Sequence, residues 1–238
     1  MTDKAVKAVV TDIEGTTTPI EFVHEVLFPY ARERLQAFCE VHRDEPDVAK
    51  ALADARELAG AEDLDLAGTV ALLLQWMAED RKAGPLKSLQ GLIWREGYES
   101  GTLKGQVYDD VPGELRRWRE RGLSLYVYSS GSVAAQKLIF GYSDKGDLTP
   151  LFDGYFDTAI GAKVEAASYV AIAGETGFPP GEILFLSDHA GEIAAAQGAG
   201  LKAVRLDRAL PGDAWTQEDT APVAGSFTAV EAQLSPGR

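Results

Sequence analysis

Ala5-Val6-Lys7-Ala8-Val9-Val10-Thr11-Asp12-Ile13-Glu14-Gly15-Thr16-Thr17 is the stretch on which the fold turns. Val6 to Thr11 reads as a β-strand, because β-branched residues favour extended backbone. Asp12 breaks the run, and Gly15 permits a sharp turn away from it. A strand that ends in carboxylates beside a glycine turn is the usual start of a ligand site at the edge of a parallel sheet.

Downstream of this strand the pattern is helical to about Val107. Val23, Leu27, Ala31, Leu35 and Phe38 recur at steps of three and four, with Pro29 expected to start or kink a helix there. Val48, Leu52, Ala55 and Leu58 form a second face; Leu66, Val70, Leu73 and Met77 a third; Leu86, Leu89 and Ile93 a fourth, ended near Gly97 and Gly101. Trp76 and Trp94 fall on these stripes and read as packing surface.

From Gly105 strands and helices alternate. Pro112 opens a helix with Leu115 and Trp118 on its buried side, stopped by Gly122. Leu123 to Tyr128 reads as a strand ending at Ser129-Ser130-Gly131-Ser132, and Val133 to Phe140 as a helix. Tyr155 to Ile160 is a short apolar segment, Ala166 to Gly174 a helix, and Ile183 to Leu186 a strand ending at Ser187-Asp188. Ile193 to Gln197 and Ala203 to Leu206 complete the series, and the Pro-, Gly- and acid-rich tail from Leu210 is expected to lie loosely on the surface. Apolar strands alternating with helices predict an α/β fold whose parallel sheet is covered on both faces. The predicted organisation is a core of residues 1–20 and 105–238, with an all-helical cap, 21–104, inserted after the first strand.

The reactive polar groups then converge at the carboxyl ends of the strands. They are Asp12 and Glu14, Ser129 and Ser130, Lys163 in Gly161-Ala162-Lys163-Val164-Glu165, and Asp188 with Glu192 a helical turn beyond. Asp12 and Asp188 suit Mg²⁺, which takes oxygen ligands and keeps several waters. Asp12 is the expected nucleophile, forming an acyl-phosphate. Lys163 would bring positive charge to the phosphoryl oxygens, and Ser129 with the N–H groups of Ser130 and Gly131 would donate hydrogen bonds. Glu14 shares a face with Asp12 if the strand geometry persists, and would then act as general acid and base. Singly, each of these groups has a commoner structural reading: a turn aspartate, a serine or aspartate helix cap, a solvated lysine. Four in this order favour the catalytic reading.

Composition narrows the partners. Of 238 residues, 45% are hydrophobic and 25% charged, with a formal net charge of −14. Without a Lys/Arg stripe a nucleic-acid partner is not expected. An anionic substrate would be repelled at long range, so the positive charge must be local. The apolar run Thr69 to Met77 is too short to span a bilayer, so no membrane partner is expected either, and Cys39 reads as a packed thiol in a reducing, cytoplasmic setting. His24, His42 and His189 lack metal-ligand spacing, and His189 reads as local structure.

The ordered set Asp12-Ile13-Glu14-Gly15-Thr16-Thr17, Ser129, Lys163 and Asp188 resembles the four motifs of the haloacid dehalogenase (HAD) superfamily, which has a Rossmann-like core. Glu14 in place of a second aspartate, Thr18, Tyr128 to Ser132 and Leu184 to Asp188 resemble a narrower family, the enolase-phosphatases E1 (acireductone synthases) of methionine salvage. The resemblance spans about Val6 to Leu206. It implies a monomer that carries one Mg²⁺ per subunit on Asp12, Glu14 (through its main chain) and Asp188. It also implies substrate contacts at Ser129, Ser130 and Lys163, with Asp12, Glu14 and Lys163 as catalytic groups. The implied substrate is a phosphorylated diketone, 2,3-diketo-5-methylthiopentyl 1-phosphate, enolised and then dephosphorylated to the acireductone. Competing readings are a general HAD phosphatase on another small ester, a metal-free dehalogenase in which Asp188 would have no role, and a receiver-like phosphate-binding module.

Overall fold

In the computed structural model, which describes residues 5–218 and 220–234, the chain divides into two compact units. One holds the residues up to Ile20 and those from Gly105 onward; the other is Glu21–Lys104.

The first unit is built on a seven-stranded sheet. Its strands are β1 (Ala8–Thr11), β2 (Ser124–Tyr128), β3 (Gly154–Phe156), β4 (Ile183–Ser187), β5 (Lys202–Leu206), β6 (Trp215–Gln217) and β7 (Pro222–Ala224). The order is β3-β2-β1-β4-β5-β7-β6, parallel throughout except for the antiparallel β6–β7 pair. β1 lies between β2 and β4, and every residue of β1 and β4 is buried. Such unbroken burial explains the absence of period-two alternation in these runs. The accompanying helices are α5 (Val111–Glu120), α6 (Val133–Gly141), α7 (Ala166–Thr176), α8 (Ala190–Gly198) and α9 (Phe227–Leu234). One core cluster joins Val10, Tyr128, Tyr169, Ile172, Phe185 and Ile193 across sheet and helices.

The second unit is all helical: α1 (Phe28–His42), preceded by a π-helical turn over Phe22–Leu27, then α2 (Pro46–Ala59), α3 (Leu66–Ala78) and α4 (Gly84–Glu99). Pro29 falls in the first turn of α1, directly after the π-helical turn. Asp65 caps α3 by accepting from Gly68 N–H at 2.8 Å. Leu35, Leu52, Leu73, Trp76, Leu89 and Ile93 share one core. Trp94 packs against that core while its indole N–H donates to the Leu27 carbonyl at 2.8 Å.

Two expectations need correction. Leu58 is half exposed rather than on the buried face of α2, where Ala51 takes its place beside Val48, Leu52 and Ala55. α4 ends as expected between Gly97 and Gly101, its last residue being Glu99 and Gly101 taking a φ of +74°. In its described residues, 210–218 and 220–234, the tail is not a loose surface segment: it supplies β6, β7 and α9, and buries Ala221, Val223, Ala224, Phe227 and Val230.

Candidate active site

Four neighbouring strands deliver the polar groups at their carboxyl ends. Thr11 pairs with Val127 of β2 and Leu186 of β4, so Asp12 emerges between the ends of those strands. Its N–H donates to the Leu186 carbonyl at 2.8 Å. Ser129 follows β2, Asp188 follows β4, and Lys163 sits in the loop from β3 to α7.

Lys163 reaches across this edge. Its Nζ lies 2.6 Å from Asp12 Oδ1 and 2.8 Å from Glu192 Oε2. All three residues are buried, with exposures of 8%, 5% and 8% for Lys163, Asp12 and Glu192. At that burial the ion pairs escape the solvent screening that makes surface pairs weak. The loop bearing Lys163 is fastened through its backbone: Tyr128 Oη donates to the Gly161 carbonyl at 2.9 Å, Ser168 Oγ to Ala162 at 2.7 Å, and Tyr169 Oη to Lys163 itself at 2.6 Å.

The turn after Asp12 is equally tight. The Ile13 carbonyl accepts from the N–H groups of Thr16, Thr17 and Thr18 at 3.1, 2.9 and 2.9 Å. Gly15 has φ of +67°, and a Cβ there would fall 2.3 Å from Asp188 Oδ2. Asp188 is therefore packed directly on the turn, and its N–H donates to Thr16 Oγ1 at 3.0 Å. This geometry overturns the strand-alternation argument for Glu14. β1 ends at Thr11, and Glu14 lies in the turn, bridged to Thr18.

Ser129 is buried, its N–H donating to the Phe156 carbonyl at 3.2 Å, whereas Ser130 is exposed. The Gly131 N–H, expected to face a phosphate, instead donates to Ser129 Oγ at 3.2 Å. Ser132 caps α6, and the Val133 N–H donates to Asp157 Oδ2 at 3.1 Å. His189 is the N-cap of α8, its Nδ1 accepting from Glu192 N–H at 3.3 Å, in keeping with a local structural role.

The charges act on one another strongly. Burial opposes the Lys163 ammonium, but Asp12 and Glu192 outweigh it and hold the pKa above the ordinary lysine value. Burial, and then the charge of Asp12, push the Asp188 carboxyl up. Glu192 is raised for the same two reasons, with Lys163 and the Ser187 hydroxyl, donating at 2.8 Å, opposing.

A profile of the haloacid dehalogenase-like hydrolases matches residues 6–200. Enolase-phosphatase E1 of Parvibaculum lavamentivorans is 63% identical over 98% of this chain and 98% of its own length. The chain belongs to the enolase-phosphatase E1 family of haloacid dehalogenase-like hydrolases. Enolase-phosphatase E1 of Pseudomonas aeruginosa strain UCBPP-PA14 is 57% identical over 85% of this chain and 90% of its own. The solved UTR4 protein of Saccharomyces cerevisiae superposes with a TM-score of 0.75 at 36% identity, covering 93% of this chain and 98% of that one.

Within this family frame the tertiary structure adds groups to which sequence reading gave no role. Glu192 was visible only as an acid one helical turn past Asp188, and the fold makes it the second carboxylate on Lys163. Thr16 holds Asp188, and Tyr169 holds the Lys163 loop. For Glu192 the spacing to Asp188 was an available signal. For Thr16 and Tyr169 none existed, because their partners lie far away in sequence or on a backbone atom.

Proposed function

We propose that this chain is a bifunctional enolase-phosphatase that converts the phosphorylated diketone to the acireductone and inorganic phosphate, as in methionine salvage. The observation that carries the reading is the buried Asp12–Lys163 contact of 2.6 Å at the carboxyl end of β1, with Asp188 packed on the same turn. The relatives' printed name, enolase-phosphatase, supplies the two-part character.

The donor set fits Mg²⁺. Asp12 and Asp188 offer carboxylate oxygens, and the charge of Asp12 already weighs on Asp188, a repulsion that a shared cation relieves. Among the described residues no group of three or more His, Cys, Asp and Glu converges as a metal cluster. Mg²⁺ does not need one, since it is commonly held by one or two carboxylates with waters completing its shell. In this reading Asp12, Asp188 and the Glu14 main chain hold the ion. When bound, it neutralises phosphate charge and polarises a carbonyl oxygen.

The chain's own groups do the remainder. Glu14 moves a proton from the carbon next to the diketone to the neighbouring carbonyl oxygen, giving the enol with no change in composition. Asp12 then attacks phosphorus, forming an acyl-phosphate as the ester O–P bond breaks, and Glu14 protonates the departing oxygen. Water attacks the acyl-phosphate with Glu14 as base, releasing phosphate and restoring Asp12. Lys163 compensates charge on the phosphoryl oxygens, while Ser129 and Ser130 contact the substrate. In this reading the Glu21–Lys104 unit, inserted into the chain four residues after Thr17, has the role of a cap. The reading also places the protein in the cytoplasm, as a monomer. The single cysteine, Cys39, is buried, and no helix among the described residues is long and apolar enough to cross a membrane.

Purified protein with Mg²⁺ and the diketone phosphate should show enol absorbance and phosphate release, and Asp12→Asn should lose the phosphate release. Phosphate release without any enol would leave a general phosphatase. Full activity in Asp12→Asn would overturn the whole mechanism, and a sedimentation run tests the monomer.

A further inference from the structure

We infer that Arg208 is a positioning residue for the Asp12–Asp188 edge: it holds Thr16, and Thr16 in turn holds Asp188. The inference rests on the proposed roles of those two carboxylates.

Arg208 lies just past β5, far in sequence from every motif residue, and only 11% of its side chain is exposed. Its Nε donates to the Thr16 carbonyl at 3.0 Å, and its Nη2 donates to the same oxygen. Its Nη1 faces both oxygens of Asp110, at 3.0 and 2.9 Å. The guanidinium carbon sits 4.2 Å from the centroid of the Tyr108 ring and 5.3 Å from that of Phe227. Charge, fork geometry and two aromatic faces therefore all restrain one side chain.

What it restrains is part of the catalytic turn. The Thr16 carbonyl is taken by Arg208, and the next carbonyl, of Thr17, accepts from the Tyr108 N–H at 3.0 Å. The Thr16 hydroxyl accepts from the Asp188 N–H at 3.0 Å, and Thr16 itself is fully buried. A single residue thus connects the guanidinium, through its carbonyl, to Asp188, through its hydroxyl. Asp110 extends the connection, because its Oδ2 also accepts from the Phe227 N–H at 2.7 Å, the first amide of α9. Releasing Arg208 frees Thr16 to shift, and Asp188 with it. Lysine cannot replace this arrangement, since one ammonium cannot present a planar fork to a carbonyl and a carboxylate at once.

The test uses the full chain and the variants Arg208→Lys, Thr16→Val and their combination. Turnover of the diketone phosphate gives kcat and KM, calorimetric titration of Mg²⁺ without substrate gives metal affinity, and melting gives Tm. Arg208→Lys is expected to lower kcat by about tenfold or more while KM stays within about twofold, the signature of displaced catalytic groups. It is also expected to weaken Mg²⁺ binding several-fold. Thr16→Val should do the same, and the double variant should be little worse than the worse single one, because both act on Asp188 by one route. A tie that merely stabilises the fold would lower Tm and leave kcat and Mg²⁺ affinity of the folded protein unchanged, and that result overturns the inference. Fully additive effects in the double variant overturn it too. Should Arg208→Lys fail to fold, Asp110→Asn, which loosens the guanidinium but keeps an acceptor for Phe227, is read by the same criteria. Wild-type protein without Mg²⁺-dependent turnover would instead defeat the functional reading itself.

Discussion

At Gly15 two constraints coincide. The left-handed φ of +67° disfavours any side chain, and the nearest atom to a Cβ is Asp188 Oδ2, at 2.3 Å. In Gly15→Ala the backbone strain costs about 1–2 kcal/mol. The larger effect is on the site, because Asp188 must move by an ångström or more, which lowers kcat by about a hundredfold. Turnover measured beside Tm checks the split: a large loss of rate with a small loss of stability is expected. Cys39, in α1, is a contrasting residue, buried and remote from any activating group. Burial first, and then the neighbouring Glu40, push its thiol up to about 11. Because the fold disfavours the thiolate, this contribution to stability is complete below the ordinary thiol pKa and is lost as pH rises through about 11. Urea titrations at pH about 8 and about 10 should show a loss on the order of 1–2 kcal/mol that Cys39→Ala abolishes.

Among the elements, the C-terminal β6–β7–α9 segment departs most from sequence expectation. Proline, glycine and acidic residues there signal a loose tail, yet β7 extends the parallel sheet beside β5. α9 docks on α5 through Phe227, stacked on Trp118 with ring centroids 5.1 Å apart. The Trp118 indole N–H donates to Glu231 Oε2 at 2.8 Å, and Arg121 Nη1 donates to both Glu231 oxygens at 2.7 Å. Strands of three residues are too short to display a period, and their burial comes from neighbours contributed by distant parts of the chain. Phe227→Ala should lower stability by about 3–5 kcal/mol, read from urea unfolding, as for other large buried rings. A loss below 1 kcal/mol would restore the picture of a loosely held tail. By contrast the four helices of Glu21–Lys104 are long and strongly periodic, so most of their buried positions were legible in advance; Leu58 is the exception.

For the whole molecule, the formal charge of −14 is at odds with a phosphorylated substrate. Protein charge at the sheet edge does not resolve this: one lysine is buried there against two carboxylates, so the balance would have to come from a bound cation. Long-range repulsion remains and is screened by salt, with a Debye length near 10 Å at about 0.1 M. Raising ionic strength from about 10 to about 150 mM with a monovalent salt, at saturating Mg²⁺, should therefore raise kcat/KM by about twofold or more and leave kcat unchanged. A fall in kcat/KM would mean that the substrate meets a positive field and that the net charge is irrelevant to its approach.

The amino-acid sequence by itself determined the β/α alternation, the helical insertion and the order of Asp12, Ser129, Lys163 and Asp188. These depend on local periodicity, turn chemistry and residue type, which are written along one dimension. Tertiary structure alone decided that Glu14 leaves the strand direction, that the Gly131 N–H is taken by Ser129, and that Glu192 joins Asp12 on Lys163. It also decided that Thr16 couples Arg208 to Asp188. Each of these contacts depends on how a turn bends or on which distant groups burial brings within hydrogen-bonding reach. Those distances are set by the closing of the sheet and the docking of its helices, not by spacing along the chain.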